Sequence, residues 1–280
     1  MTAPTLGVIG AGVIGSSVAH AAAAAGYAVV LVDTDPAALD AARAAIRRHE
    51  RLAALLGGTG RRQLDVRPTT DLSDVADAGF VVENTTESEQ GKRELYPLLD
   101  KVLAPDVTIA ANTSAVPIAS LAQCLTDPGR VVGAHFMNPV DRIDMVEVVC
   151  APSTSDKALA DVDGLLGRMG KRSVVVNDAP GFVINRILMP VVNLAAAVVA
   201  DGVATPSQVD DLFKGCLGHT SGPLRTADLI GVDTVVRTLE VLHEHYGTDE
   251  FATHAHLRRM VDEGRTGAKS GQGFYSYDGN

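Results

Sequence analysis

Apolar and polar positions follow two different patterns along the 280 residues. Before Asp178, the chain carries short, mostly apolar runs: Leu6 to Ile9, Ala28 to Val32, Phe80 to Glu83, Val107 to Ala111 and Ser173 to Val176. Runs of that length are the mark of parallel strands buried on both faces. Between them lie segments with apolar residues at helical spacing, so strands and helices alternate. After Asp178-Ala179-Pro180-Gly181 only the helical pattern continues, over Val183–Ala200, Pro206–Cys216, Leu224 to about Tyr246, and Ala252–Glu263. Thr205-Pro206-Ser207-Gln208 has the form of a capping box. The tail from Gly271 to Tyr277, GQGFYSY, is expected to be extended and packed. The pattern predicts two domains: residues 1–179, a doubly wound α/β sheet, and residues 180–280, all helical.

The first strand runs into Gly10-x-Gly12-x-x-Gly15, then a helix closed by Gly26, then the second strand and Asp33. Each glycine has a separate reason to be there. Gly10 permits the tight turn, Gly12 lets backbone approach a pyrophosphate, and Gly15 lets helix and strand pack closely. The helix N-terminus attracts the anion. Asp33 stands where a carboxylate accepts both adenosine ribose hydroxyls and repels a 2′-phosphate, which selects NAD over NADP.

Asp35-Pro36 opens the next helix as N-cap and first helical residue. It runs to about Leu56 and is ended by Gly57-Gly58-Thr59-Gly60. A strand near Val66 to Thr69 and a short helix near Asp74 to Ala78 follow. The helix from about Ser88 to Val102 carries Lys92, and the strand after it delivers Asn112-Thr113-Ser114. Ligands of open α/β sheets collect at this carboxyl edge. Ser114 is either a contact for substrate or nicotinamide, or an ordinary turn cap. The stretch VVGAHFMNPVDRIDMVEVV reads as strand, turn, strand, which can bring His135 and Glu147 side by side, with Asn138 between them in sequence. A carboxylate on one imidazole nitrogen fixes the tautomer and leaves the other nitrogen to act as a base. A core histidine satisfied by a nearby acid is the other reading of the same pair.

Aromatic content is 4% with no Trp, so the core is built from Ala, Val, Leu and Ile. Net charge is −10, which disfavours a bulk nucleic-acid or anionic-membrane binder. The three cysteines have no metal or redox spacing, and no signal-type or membrane-spanning apolar run appears, so the reading is a cytoplasmic protein. The histidines at 243/245 and 254/256 are spaced i, i+2 on predicted helices and point apart, so no metal site is expected.

Taken together, GVIGAGVIG with Asp33, VVENTTESEQGK, NTSAVPI, GAHFMNPV followed by VEVV, DAPGFVINRIL, GPLRTADLIGVD and KSGQGFY resemble the NAD-dependent L-3-hydroxyacyl-CoA dehydrogenase family over nearly the whole chain. The resemblance implies a Rossmann-like N-terminal domain, a helical C-terminal dimerisation domain, and an active site in the cleft between them. It implies His135 as catalytic base and Glu147 as its orienting acid. Ser114 and Asn185 fall on substrate-binding positions, Asn138 in the same active-site motif, and Glu87 and Lys92 on cofactor-side positions. The implied cofactor is NAD, the substrate an acyl-CoA or acyl-carrier-protein thioester, and the assembly a homodimer.

The chain departs from the family pattern in places. Asp141 and Asp144 replace the usual Pro and Lys between NPV and VE, Ala115 stands where a second Ser is common, and Leu224-Arg225 follows Gly222-Pro223. GHTSGPLRTADLIG looks like a branch acting on carrier-bound acyl groups, such as glyceryl units for polyketide extenders. Arg43, Arg47, Arg48 and Arg51, with Arg61 and Arg62 after them, form either a solvated helix face or a basic docking patch for CoA phosphates or an acidic carrier. A non-catalytic NAD-binding protein and a dehydrogenase of free hydroxyacids are the competing functions. His135 with Glu147 argues against the first. Asn185-Arg186, with no lysine there, argues against the second.

Overall fold

The computed structural model describes residues 3–55 and 64–277. The expected turn at Gly57–Gly60, together with Arg61 and Arg62, lies outside the described residues. The chain divides into two compact units, Met1–Ala179 and Pro180–Asn280.

The first unit is one eight-stranded sheet. Its strands are β1 (Thr5–Ile9), β2 (Ala28–Val32), β3 (Val66–Thr69), β4 (Phe80–Glu83), β5 (Thr108–Ala111), β6 (Val131–His135), β7 (Met145–Cys150) and β8 (Arg172–Asn177). They lie in the order β3-β2-β1-β4-β5-β6-β7-β8. The first six in sequence run parallel; β7 turns back antiparallel to β6, and β8 runs parallel to β7. The order reverses between β1 and β4, so crossovers leave in opposite directions there and open a crevice at the carboxyl ends. The helices are α1 (Val13–Ala24), α2 (Pro36–Leu55), α3 (Glu89–Val102), α4 (Ile118–Ala122) and α5 (Asp156–Arg168). Small residues make this packing possible. Ala19, Ala22 and Ala23 of α1 lie in the same core as Leu6, Val8, Val29 and Leu31 of the sheet. Asp35 caps α2 by accepting the Ala37 N–H at 2.9 Å, and Ser88 and Ser155 cap α3 and α5 in the same way.

The short helix expected over Asp74 to Ala78 is instead a 3₁₀ turn over Leu72–Val75. Asp71 sets this earlier start, because its carboxylate accepts the Ser73 N–H at 2.8 Å.

The second unit contains α6 (Ile184–Ala200), α7 (Pro206–Leu217), α8 (Pro223–Ile230), α9 (Val232–Tyr246) and α10 (Ala255–Asp262). Met189, Val192, Leu239, Leu242, Phe251, Leu257 and Met260 form its main core. The capping box at Thr205 and Gln208 opens α7. The single helix expected from Leu224 to Tyr246 is two, broken at Gly231. That residue has φ +104°, and a Cβ there would stand 2.9 Å from Lys269 Nζ. An apolar pattern that stays in phase through one glycine hides such a break. The tail folds over α8 in isolated bridges, Gly267 with Gln272 and Gln272 with Ser276. The buried Asp228 holds it, accepting the Phe274 and Tyr275 N–H groups at 2.9 Å and the Tyr277 hydroxyl at 3.1 Å. No helix of the described residues is long and apolar enough to cross a membrane.

Candidate active site

Four parallel strands, β1, β4, β5 and β6, end side by side, and each delivers a polar residue or a turn to the same edge. After β1 comes the glycine turn. Gly10 has φ +96°, and a Cβ on it would stand 2.6 Å from the Asn84 carbonyl oxygen; a Cβ on Gly15 would stand 1.9 Å from the Gly10 carbonyl oxygen. These two glycines are required by packing within the turn. Gly12 differs, because a Cβ there would meet nothing within 4 Å. It is the N-cap of α1 and makes no side-chain cap bond. Backbone N–H groups at the start of α1 therefore lie behind open space, an arrangement that accepts a pyrophosphate.

Asp33 leaves the end of β2 and reaches toward that turn. Its Oδ2 accepts the Ala11 N–H at 2.7 Å and its Oδ1 the Asp35 N–H at 2.9 Å. The carboxylate is thereby held against the glycine turn, where an adenosine ribose would present its hydroxyls. Glycine turn, helix N-terminus and Asp33 together fit a dinucleotide.

His135 ends β6 and stands directly across from Glu147 of β7 in the antiparallel register. Side chains at directly opposed positions share one face of the sheet. The His135 Nδ1 lies 3.0 Å from Glu147 Oε2, and both side chains are only 7% exposed. A carboxylate accepts only, so Nδ1 carries the proton when the ring is neutral and Nε2 is the basic nitrogen. Asn138 is exposed, in the connection from β6 to β7. Lys171 lies beneath that connection, buried, donating from Nζ to the Val140 carbonyl and, at 3.0 Å, to that of Ile143. Burial pushes the Lys171 ammonium below its usual range, against the opposing charges of Asp144 and Asp141.

Ser114 is half-buried in the loop after β5. Glu87 holds that loop through Oε1, which accepts the Ser114 N–H at 2.8 Å, the Ala115 N–H at 2.9 Å and the Thr113 hydroxyl. Lys92 lies under the edge. Its Nζ contacts both oxygens of Glu83, at 2.8 and 2.9 Å, and neither side chain of the pair has any exposure. Tyr96 extends this cluster with its hydroxyl 3.4 Å from Glu83 Oε2, and burial raises the phenol far above its usual range, the Glu83 charge adding to the effect. Asn185 belongs to the second unit, buried in the first turn of α6.

The structure thus gathers the glycines with Asp33, His135 with Glu147, Ser114 with Glu87, and Lys92 with Glu83. The sequence pattern assigns no role to Glu83, Asn112 or Lys171. Glu83 did leave a signal: an acid closing an otherwise apolar strand needs a buried partner, and Lys92 follows it on the next helix.

Comparisons with known proteins agree over the full length. The family description "3-hydroxyacyl-CoA dehydrogenase, NAD binding domain" matches residues 5–179, and "3-hydroxyacyl-CoA dehydrogenase, C-terminal domain" matches residues 181–277. A probable 3-hydroxybutyryl-CoA dehydrogenase of Deinococcus radiodurans is 40% identical over 276 residues, covering 97% of this chain and 99% of the relative. A 3-hydroxybutyryl-CoA dehydrogenase of Mycobacterium tuberculosis is 36% identical over 279 residues, covering 97% and 98%. The crystal structure of (S)-3-hydroxybutyryl-CoA dehydrogenase PaaH1 from Ralstonia eutropha superposes with a TM-score of 0.92 at 33% identity, covering 99% of this chain and all of that one.

Proposed function

The chain belongs to the 3-hydroxyacyl-CoA dehydrogenase family, a family of NAD-dependent oxidoreductases, and from that premise we propose that it interconverts a short 3-hydroxyacyl-CoA and its 3-oxo counterpart with His135 as the acid–base group. The observation that carries this reading is the buried contact of 3.0 Å between His135 Nδ1 and Glu147 Oε2 at the carboxyl edge of the sheet.

Bound NAD supplies the hydride acceptor. His135 Nε2 takes the proton of the 3-hydroxyl group as the carbon beneath it is oxidised. Glu147 keeps the ring in one tautomer and stabilises the imidazolium that forms. In the reductive direction the imidazolium returns the proton to the forming alkoxide. Ser114, Asn138 and Asn185 are the polar contacts of the thioester substrate. Gly12 and the N-terminus of α1 receive the pyrophosphate, in a turn that Gly10 and Gly15 make possible, and Asp33 receives the adenosine ribose. Glu87 and Lys92 serve the cofactor side indirectly, through the Ser114 loop and through Glu83.

The substrate class follows that of its relatives, which are 3-hydroxybutyryl-CoA dehydrogenases. A carrier-bound acyl group is the second reading, favoured by Arg43, Arg47, Arg48 and Arg51 standing exposed along α2. The protein assembles as a homodimer through its second domain, where Ile187, Leu194, Leu212, Leu217 and Leu229 are exposed. Three free thiols, Cys124, Cys150 and Cys216, suit a reducing cytoplasm.

Oxidation of NADH with acetoacetyl-CoA, set against the same acyl group on a carrier protein, tests the substrate class. Turnover of the CoA thioester supports the first reading; its loss on charge reversal at Arg47, Arg48 and Arg51 would assign the CoA phosphates to that patch, and no loss with either substrate returns the arginines to a solvated face. Turnover of the carrier-bound acyl group alone, lost on that reversal, would replace the first reading by the second. Light scattering checks the dimer, which a monomer at micromolar concentration would refute.

A further inference from the structure

One side chain connects the ends of three parallel strands. Asn112 follows β5 and is 9% exposed. Its Oδ1 accepts the N–H of Phe136, the residue after His135, at 3.1 Å. Its Nδ2 donates to Asn84 Oδ1 at 2.8 Å. Asn84 follows β4 and donates from its own Nδ2 to the Val82 carbonyl at 3.1 Å. Asn84 also forms the wall behind the glycine turn: its carbonyl is what a Cβ on Gly10 would strike, and its own Cβ is 3.4 Å from where one on Gly15 would stand.

The direction of this run of bonds is fixed from one end. A backbone N–H only donates, so the atom of Asn112 facing Phe136 is the oxygen. Nδ2 then faces Asn84, whose oxygen must accept, and Asn84 Nδ2 is left for the Val82 carbonyl. Flipping either amide would oppose two donors or two acceptors. Asn112 itself is anchored on its backbone, with its N–H donating to the Glu83 carbonyl at 2.8 Å and its carbonyl 3.4 Å from Lys92 Nζ. The buried Glu83–Lys92 pair therefore underlies the residue that holds the Phe136 peptide.

We propose that Asn112 is a positioning residue for the catalytic base. It ties the peptide after His135 to the wall of the glycine turn, so that the proton-accepting ring and the nucleotide site keep one separation. This rests on His135 being the base. β6 is last held by β5 through Ala111 opposite Gly133, and by β7 through Glu147 opposite His135 itself. The Phe136 N–H is the next group along, beyond both registers, and Asn112 is what fastens it. A shift of about 1 Å at a reacting group costs on the order of a hundredfold in rate, whereas binding of either ligand alone does not depend on their mutual distance.

The test is Asn112→Asp, which keeps size and the acceptor for Phe136 but turns a second oxygen on Asn84 Oδ1, together with Asn112→Ala, which removes both bonds. The expected result is kcat lowered about 10- to 100-fold, with NAD affinity by titration calorimetry and the acyl-CoA KM each within about threefold of wild type. In Asn112→Ala, amide exchange should quicken at Phe136 more than at Val132 or Ala134 of β6. Should Asn112→Ala not fold, Asn84→Ala cuts the same run one residue further from the base and takes its place. A kcat within threefold of wild type in Asn112→Asp overturns the proposal. So does a parallel loss of NAD affinity, KM and melting temperature, which would mark a merely structural residue. A His135→Ala variant assayed beside them separates the two ideas. If it turns over normally, the base assignment itself falls; if it is inactive while Asn112→Asp runs at full speed, only the positioning role falls.

Discussion

Glu147→Gln isolates the charge of the acid from its shape. Glutamine retains a carbonyl oxygen that accepts from His135 Nδ1, so ring tautomer and orientation persist and only the negative charge is removed. The Nδ1 to Oε2 distance is 3.0 Å. Both charges are delocalised, which puts their centres roughly 4 Å apart, and at an effective dielectric of about 20 a full imidazolium gains about 4 kcal/mol from the carboxylate. A proton half transferred in the transition state gains about half of that, so the loss is about 2–4 kcal/mol, or roughly 30- to 1,000-fold in kcat. The ground-state complex carries a neutral ring in the oxidative direction, so KM for the hydroxyacyl substrate should stay within about threefold. Initial rates of NADH formation at saturating NAD, with calorimetric NAD binding as control, measure both. A kcat within threefold of wild type would mean that no imidazolium forms beside Glu147, and the acid–base reasoning would be wrong.

Three further experiments test the nucleotide site, the buried ion pair beneath it and the acid stability of the first unit. Asp33→Ala should narrow the preference for NAD over NADP on the order of tenfold, since repulsion of a phosphate near solvent is worth about 1–2 kcal/mol; it should also weaken NAD binding, because the Ala11 N–H loses its acceptor. A wild type that already prefers NADP would refute this. Lys92→Met leaves the Glu83 carboxylate buried without its cation, which costs about 3–5 kcal/mol and should lower the melting temperature by about 10 °C. Adding Glu83→Leu should restore most of the loss, and no restoration would show that the pair does more than neutralise itself. Asp100 is desolvated, but two hydrogen bonds from Thr126 and the charge of Arg130 outweigh this and hold its carboxyl below the usual 3.8. Its contribution to stability is therefore complete above about pH 4 and is lost as pH falls through the depressed folded value. Asp100→Asn should flatten the acid limb of melting temperature against pH, and an unchanged limb would contradict the assignment.

The parts of this molecule legible in the sequence are those governed by local rules. The glycine turn could be read because each glycine answers a separate steric demand over a few residues. Most strands could be read because they are short, mostly apolar runs, although β8 lies with Val174 and Val175 exposed rather than buried on both faces. The juxtaposition of His135 with Glu147 followed from strand, turn and strand, with the register supplied by the structure. What escaped depends on contacts distant in sequence. Gly231 breaks a helix because Lys269 and the Thr266 carbonyl occupy the space and the N–H beyond it. The family resemblance puts Lys92 on a cofactor-side position; its ammonium is enclosed by Glu83, and nothing in the periodicity of α3 announces that. Asn112 looks like a turn residue until β4 and β6 are placed on either side of it. Lys171 carries no signal of its own before β8, and only the folded connection over it makes it an internal strut.

The most direct test of the acid–base account is the single-turnover rate of His135→Ala with 3-hydroxybutyryl-CoA and NAD, measured beside NAD affinity on the same preparation. The account predicts that hydride transfer slows by about 10²- to 10⁴-fold, while NAD binds within about threefold of wild type, because the glycine turn and Asp33 are untouched. Hydride transfer at the wild-type rate in a variant that binds NAD normally would contradict it.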